Sequence, residues 1–151
     1  MRSLASHWRF SSILSARSGS RLNITSGRDN AFTGLLNQRV NKVSDDFYAA
    51  EPTLNQYFNP AAFAQPASGT LGDLERNAAV GPSFWNIDLA VSRLFAMGAT
   101  GRLELRLESF NLLNHFNWGN PATNFNAGTF GRITTAANDP RIIQLGIKYD
   151  F

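Results

Sequence analysis

Where this chain has a period, the period is two. In "RIIQLGIKYDF" Arg141, Ile143, Leu145, Ile147, Tyr149 and Phe151 share one side of an extended strand, and Ile142, Gln144, Gly146, Lys148 and Asp150 share the other. "RLELRLE" alternates strictly, with Leu103, Leu105 and Leu107 against Arg102, Glu104, Arg106 and Glu108. "FWNIDLAVSRLF" puts Trp85, Ile87, Leu89, Val91 and Phe95 on a face that Arg93 interrupts, opposite Asn86, Asp88, Ala90 and Ser92. Near the start, Trp8, Phe10 and Leu14 oppose Arg9 and Ser11, and Leu22 and Ile24 oppose Arg21, Asn23 and Thr25. Alternation of this kind predicts strands. The expected strands are 7–16, 20–26, 84–96, 101–115 and 141–151, with a bulge in the stretch from Phe110 to Leu113.

Turn residues separate these runs. "ARSGS", with Gly19, reads as a turn closing the first two strands into a hairpin, and "AMGATG" reads as a second tight turn. The intervals 27–82 and 116–140 are long and rich in Asn, Gly and Pro. A structureless stretch of that length fits only a functional loop with short pieces of its own structure. Pro60 after Asn59 is placed to open a short helix. Short and long connections therefore alternate, as they do in a membrane β-barrel, where periplasmic turns are short and extracellular loops long. The expected strands 7–16 and 141–151 also match the roughly 9–11 residues that a tilted strand needs to cross the hydrocarbon. The expected class is all-β: an antiparallel transmembrane β-barrel fragment of about five strands, spanning 1–151, with two long extracellular loops. The alternative is a soluble antiparallel sheet that binds a ligand or partner through its loops.

Composition narrows the chemistry. The chain has 151 residues, 43% of them hydrophobic, which suits one globular domain. There is no Cys, which excludes disulfides and thiolate metal sites. A net charge of +3 is spread along the chain, so a nucleic-acid stripe is not expected. No run approaches the ~20 apolar residues of a membrane helix. The opening "MRSLASHWRFSSILSARSGS" is a poor signal peptide, because Arg2 is followed by His7, Trp8 and Arg9 where an apolar run belongs.

The catalytic and metal signals are weak. His7 and His115 lie in different strands. Asp29, Asp45 and Asp46 could hold calcium but lack an EF-hand order. Glu104 and Glu108 share a face but interleave with Arg102 and Arg106, which reads as a charge ladder. No "GxSxG" or "GxxxxGK" occurs. No enzymatic activity, cofactor or metal is expected. Trp8 and Trp85 fit an aromatic belt, whereas Trp118 is either an interfacial anchor or a loop contact. Phe58, Phe63, Phe125 and Phe130 are expected to pack the loops.

Three stretches, "YFNPAAFAQPASGTLGDLERNAAVGPSFWNIDLAVSRLF", "LELRLESFNLLNHFNWGNP" and "FGRITTAANDPRIIQLGIKYDF", together with "SSILSARSGSRLNITSGRDNAFTGLLNQRVNKV", resemble the C-terminal end of TonB-dependent outer-membrane receptors. The similarity is to the Oar-like type abundant in acidobacteria and covers essentially the whole chain. It implies a barrel of about 22 strands plugged by an N-terminal domain. In such receptors TonB acts through the plug, which this sequence does not include, and an unknown ligand is carried. It also implies that Phe151, Tyr149, Ile147, Leu145 and Ile143 form the signal read by the barrel-assembly machinery. Leu103, Leu105, Leu107, Trp85, Ile87, Leu89 and Val91 would then face outer-membrane lipid. Arg102, Glu104, Arg106, Glu108, Lys148 and Asp150 would face the lumen. An open sheet has orphan edge groups that cost several kcal/mol each in hydrocarbon. A truncated chain without autonomous transport is therefore the expectation.

Overall fold

A computed structural model describes residues 6–151; Arg2, read above as a charged opening, lies outside the described residues. The elements run β1 (Trp8–Arg17), β2 (Arg21–Leu22), β3 (Asn41–Lys42), a 3-10 turn (Pro60–Ala62), β4 (Phe63–Ala64), β5 (Ala79–Val80), β6 (Phe84–Met97), β7 (Gly101–Phe110) and β8 (Ile142–Asp150). They form two compact units. One contains the chain up to Arg17, Trp85–Phe116 and Asn138–Phe151; the other contains Ser18–Phe84 and Asn117–Ala137.

The first unit is a four-stranded sheet in the order β1-β6-β7-β8. β6, β7 and β8 pair antiparallel in unbroken register. Gly98 takes φ +71° in the turn between β6 and β7, and Met97 pairs with Gly101 across it. That conformation is cheap only for glycine. β7 stops at Phe110 because Asn111 and Asn114 turn left-handed, each with φ 51°. The strand expected to reach 115 is therefore shorter, and the irregularity is an end to the strand and not a bulge within it.

The run 20–26 is not a strand of this sheet, and the expected hairpin with 7–16 does not form. Arg21 and Leu22 pair instead with Val80 and Ala79, and the neighbour of β1 is β6. The alternation of Leu22 and Ile24 serves a different purpose: Ile24 is fully buried in the core of the second unit. Period two reports that side chains alternate; it does not report what covers them.

The second unit shows why the interval 27–82 has no sheet period. Ile24, Val40, Phe58, Ala62, Phe63, Leu74 and Ala79 make its core. Around Phe58 the rings of Tyr57, Phe63 and Phe130 lie 5.3, 6.4 and 5.7 Å away, and Phe125 meets Phe130 at 5.1 Å. These separations are those of favourable edge and offset ring pairs. The four loop phenylalanines therefore pack, as expected. Phe125 and Phe130 come from the second long connection, so both connections contribute to one core. The backbone joins them too, with Thr25 N donating to Thr123 O at 3.0 Å and Ile133 N donating to Leu54 O at 2.7 Å. Asn59 caps the 3-10 turn, its Oδ1 accepting from Ala61 N at 3.1 Å, with Pro60 at the first position. Gly72 is required where it stands, since a Cβ there would collide with the carbonyl oxygens of Arg39 and Val40.

Phe58→Ala should cost the loop unit about 3–5 kcal/mol, since it empties a fully buried ring site. Leu35→Ala, at an exposed position, should cost little. Limited proteolysis of folded protein checks this: cleavage in 27–82 should accelerate for the first variant only.

Candidate functional site

The sheet offers two chemically distinct faces, and the ladder register assembles them. Val91 lies opposite Leu107, which lies opposite Leu145. Arg93, Leu105 and Ile147 form the next row, and Phe95, Leu103 and Tyr149 the one after. Leu89, Ser109 and Ile143 complete the face in the other direction. Trp85 and Ile87 follow from the alternation of β6. Every residue expected to face lipid, and every residue of the expected assembly signal on β8, thus belongs to one surface. Its outer part is bare: Leu145 is 83% exposed and Phe151 99%.

The opposite face collects the charges. Arg102 pairs in register with Asp150, and Glu104 with Lys148. Arg106 Nη2 meets Glu108 Oε1 at 2.6 Å, and Lys148 Nζ meets Asp150 Oδ1 at 3.1 Å. Opposite charges standing directly across a ladder support the pairing modestly. Gly146 sits across from Arg106 and leaves room for it. All six residues expected to face the lumen share this side.

Aromatic rings mark the two ends of the apolar face. At the end carrying the 98–100 turn are Trp8, Phe95, Tyr149 and Phe151, with Trp8 stacked on Phe10 at 6.2 Å and Tyr149 on Phe151 at 6.2 Å. At the other end Trp85 lies 4.0 Å from the His115 ring. Trp118 is elsewhere, in the loop unit, where it bridges to Ala136.

Sequence reasoning missed a polar clasp beyond β7. Asp88 Oδ1 accepts from Asn111 N and from Asn86 Nδ2, both at 2.8 Å. The Asn111 side chain accepts from His115 N at 2.8 Å and donates to the carbonyls of His115 and Asp139 at 3.0 Å each. Asn138 Nδ2 donates to the same His115 carbonyl at 2.8 Å, and Arg141 N donates to Asn114 Oδ1 at 3.0 Å. The run thereby ties the end of β7 to the start of β8. The repeated Asn in "FNLLNHFN" was the available signal, since Asn tolerates the left-handed region and bonds locally.

The acidic loop residues do not converge. Asp29 accepts from Thr33 N at 2.8 Å and Gly34 N at 2.6 Å. The Thr33 amide, foremost among its bonds, holds its carboxyl below the usual range. A lowered carboxylate pKa stabilises the loop at neutral pH, and that contribution is lost as pH falls through the lowered value. Asp45 pairs with Lys42 at 2.9 Å and raises its pKa, while the Asp46 backbone carbonyl accepts from Asn59 Nδ2 at 3.1 Å. Burial, more than the neighbouring Tyr48, raises the pKa of Tyr57, whose hydroxyl donates to Val80 O at 3.2 Å. Among the described residues no three His, Asp or Glu side chains are grouped to hold a metal.

An antiparallel meander with one bare apolar face edged by aromatic rings, and one charged face, is the construction of a membrane β-barrel wall. Comparison with protein families agrees: residues 1–144 match the outer membrane beta barrel domain, and the chain belongs to that family. It resides in the cell outer membrane. Comparison with curated proteins and with solved structures gave no match.

Asn111→Ala should destabilise the 111–141 connection by about 1–3 kcal/mol, since it removes the three side-chain hydrogen bonds of a buried residue and forces a Cβ without local bonds into the left-handed region. Asn111→Gly, which accepts the same φ, should fall between wild type and Ala. Amide exchange across 111–116 and 138–142 checks the order.

Proposed function

We propose that this chain is the C-terminal part of the barrel of a TonB-dependent outer-membrane transporter of the Oar-like type, and that it contributes barrel wall and extracellular loops without enzymatic chemistry. The resemblance of its ordered stretches to that group supports the reading. The observation that carries the barrel-wall part of it is the height of the apolar face. Trp85 and Phe95 stand ten residues apart on β6. At a rise of about 3.3 Å per residue and a tilt of about 40°, they are about 25 Å apart along the membrane normal, the height of a barrel's apolar band between its girdles.

On this reading Leu103, Leu105, Leu107, Trp85, Ile87, Leu89 and Val91 touch lipid. Arg102, Glu104, Arg106, Glu108, Lys148 and Asp150 line the interior. The end of the sheet with the short turn is periplasmic, and Phe151, Tyr149, Ile147, Leu145 and Ile143 are read by the barrel-assembly machinery. Among the described residues no strand pairs with the outer edges of the sheet, on β1 and β8. Orphan backbone groups in hydrocarbon cost several kcal/mol apiece, so closure needs strands beyond these four. The loop unit, with its own aromatic core, holds a shaped surface of its own, while TonB acts through a plug and a ligand of unassigned chemistry is carried.

Leu105→Arg should destabilise the folded barrel by about 2–4 kcal/mol, and Arg106→Leu by less, since only the first sets a charge against acyl chains. Urea titration of folded protein in vesicles reads both; equal penalties would sink the face assignment. Phe151→Ala should lower the amount of heat-modifiable barrel in outer-membrane fractions, and unchanged amounts would remove the assembly role.

A further inference from the structure

Arg93 is the exception on the apolar face. Within the four strands it is the only charged side chain there, and its partner across β7 is Leu105. No salt bridge among the described residues includes it. Its Nε is buried without a hydrogen-bond partner. It is nonetheless held in position: the guanidinium carbon lies 5.1 Å from the Trp8 ring centre and 4.7 Å from the Phe95 ring centre. Phe95 is two residues nearer the turn, so the head group leans toward the turn end, among the aromatic rings that mark it.

We infer that Arg93, flanked by Trp8 and Phe95, binds the phosphate of an anionic phospholipid in the periplasmic leaflet. The inference rests on the lipid-facing reading of this surface. A guanidinium has donors only in its plane and attracts aromatic rings to its two faces. With rings against it, what remains is an edge of N–H groups suited to paired phosphate oxygens. The aliphatic stem stays on apolar surface while the head reaches toward the interface. Acyl tails of the same molecule would cover Leu105 and Ile147 in the same row, which a free phosphate ion would leave bare. A zwitterionic lipid brings its own ammonium to its phosphate, so a net-negative headgroup complements the unpaired arginine better.

The test is tryptophan quenching by brominated lipids in vesicles that hold the intact folded protein. The signal from Trp8 is the part lost in Trp8→Phe. Brominated phosphatidylglycerol should quench that signal several-fold more effectively than brominated phosphatidylcholine. Arg93→Gln should make the two lipids equal, and Arg93→Lys should keep part of the preference. Equal quenching by both lipids in the wild-type protein overturns the headgroup site and leaves the lipid-facing reading standing. Quenching by neither lipid overturns the lipid-facing reading, and the site with it. A preference undiminished in Arg93→Gln assigns the selectivity elsewhere and also overturns the inference. If Arg93→Gln does not fold, Arg93→Lys decides: a partial loss of the preference supports the site, and an undiminished preference overturns it.

Discussion

The structure depends on cross-strand register. A strand sends successive side chains to opposite sides, so one strand alone has two half-faces and no surface. The surface appears only when neighbours agree in phase. Here Val91, Leu107 and Leu145 stand in one row, and Glu104 faces Lys148 in another. A slip of one residue between β7 and β8 would set Leu105 beside Lys148 or Gly146 and mix the faces. In hydrocarbon that mixture would be severe, because a charge on the lipid side has no water to turn to. The pairing of Arg102 with Asp150 adds little energy at an exposed site, but it disfavours the slipped alternatives.

The loop unit obeys a different rule. Its segments have little regular pairing: β2 with β5 and β3 with β4 contribute two residues a strand. Cohesion comes from rings and from side chains that bond backbone groups. Tyr48 accepts from Val80 N at 2.9 Å, and Gln65 donates to Ser26 O at 2.8 Å. Such bonds satisfy backbone groups that a sheet would otherwise pair. A long connection can therefore be ordered without being regular. Outer-membrane barrels need such order where a loop must hold a shape outside the bilayer.

Arg93 and Asn111 show where local patterns and tertiary context part. Arg93 breaks the pattern of its strand by its charge, and Asn111 ends the preceding strand by its left-handed backbone. Each is accommodated by partners distant in sequence: Trp8 for Arg93, and Asp88 and Asp139 for Asn111.

The strands that alternate strictly, their two faces, the tight turn at Gly98 and the packing role of Phe58, Phe63, Phe125 and Phe130 were all legible in the residues. Those features are local, set by the two-residue period and by residue type. That β1 pairs with β6, that Leu22 and Ile24 belong to a loop core, and that the Asn-rich run after β7 is a clasp emerged in three dimensions alone. The reason is physical. Alternation says which side chains point the same way, but pairing depends on which backbone edges meet, and burial depends on what arrives from far along the chain. For Ile24 those distant contributions are Val40, Phe58 and Leu74, which no period around residue 24 encodes.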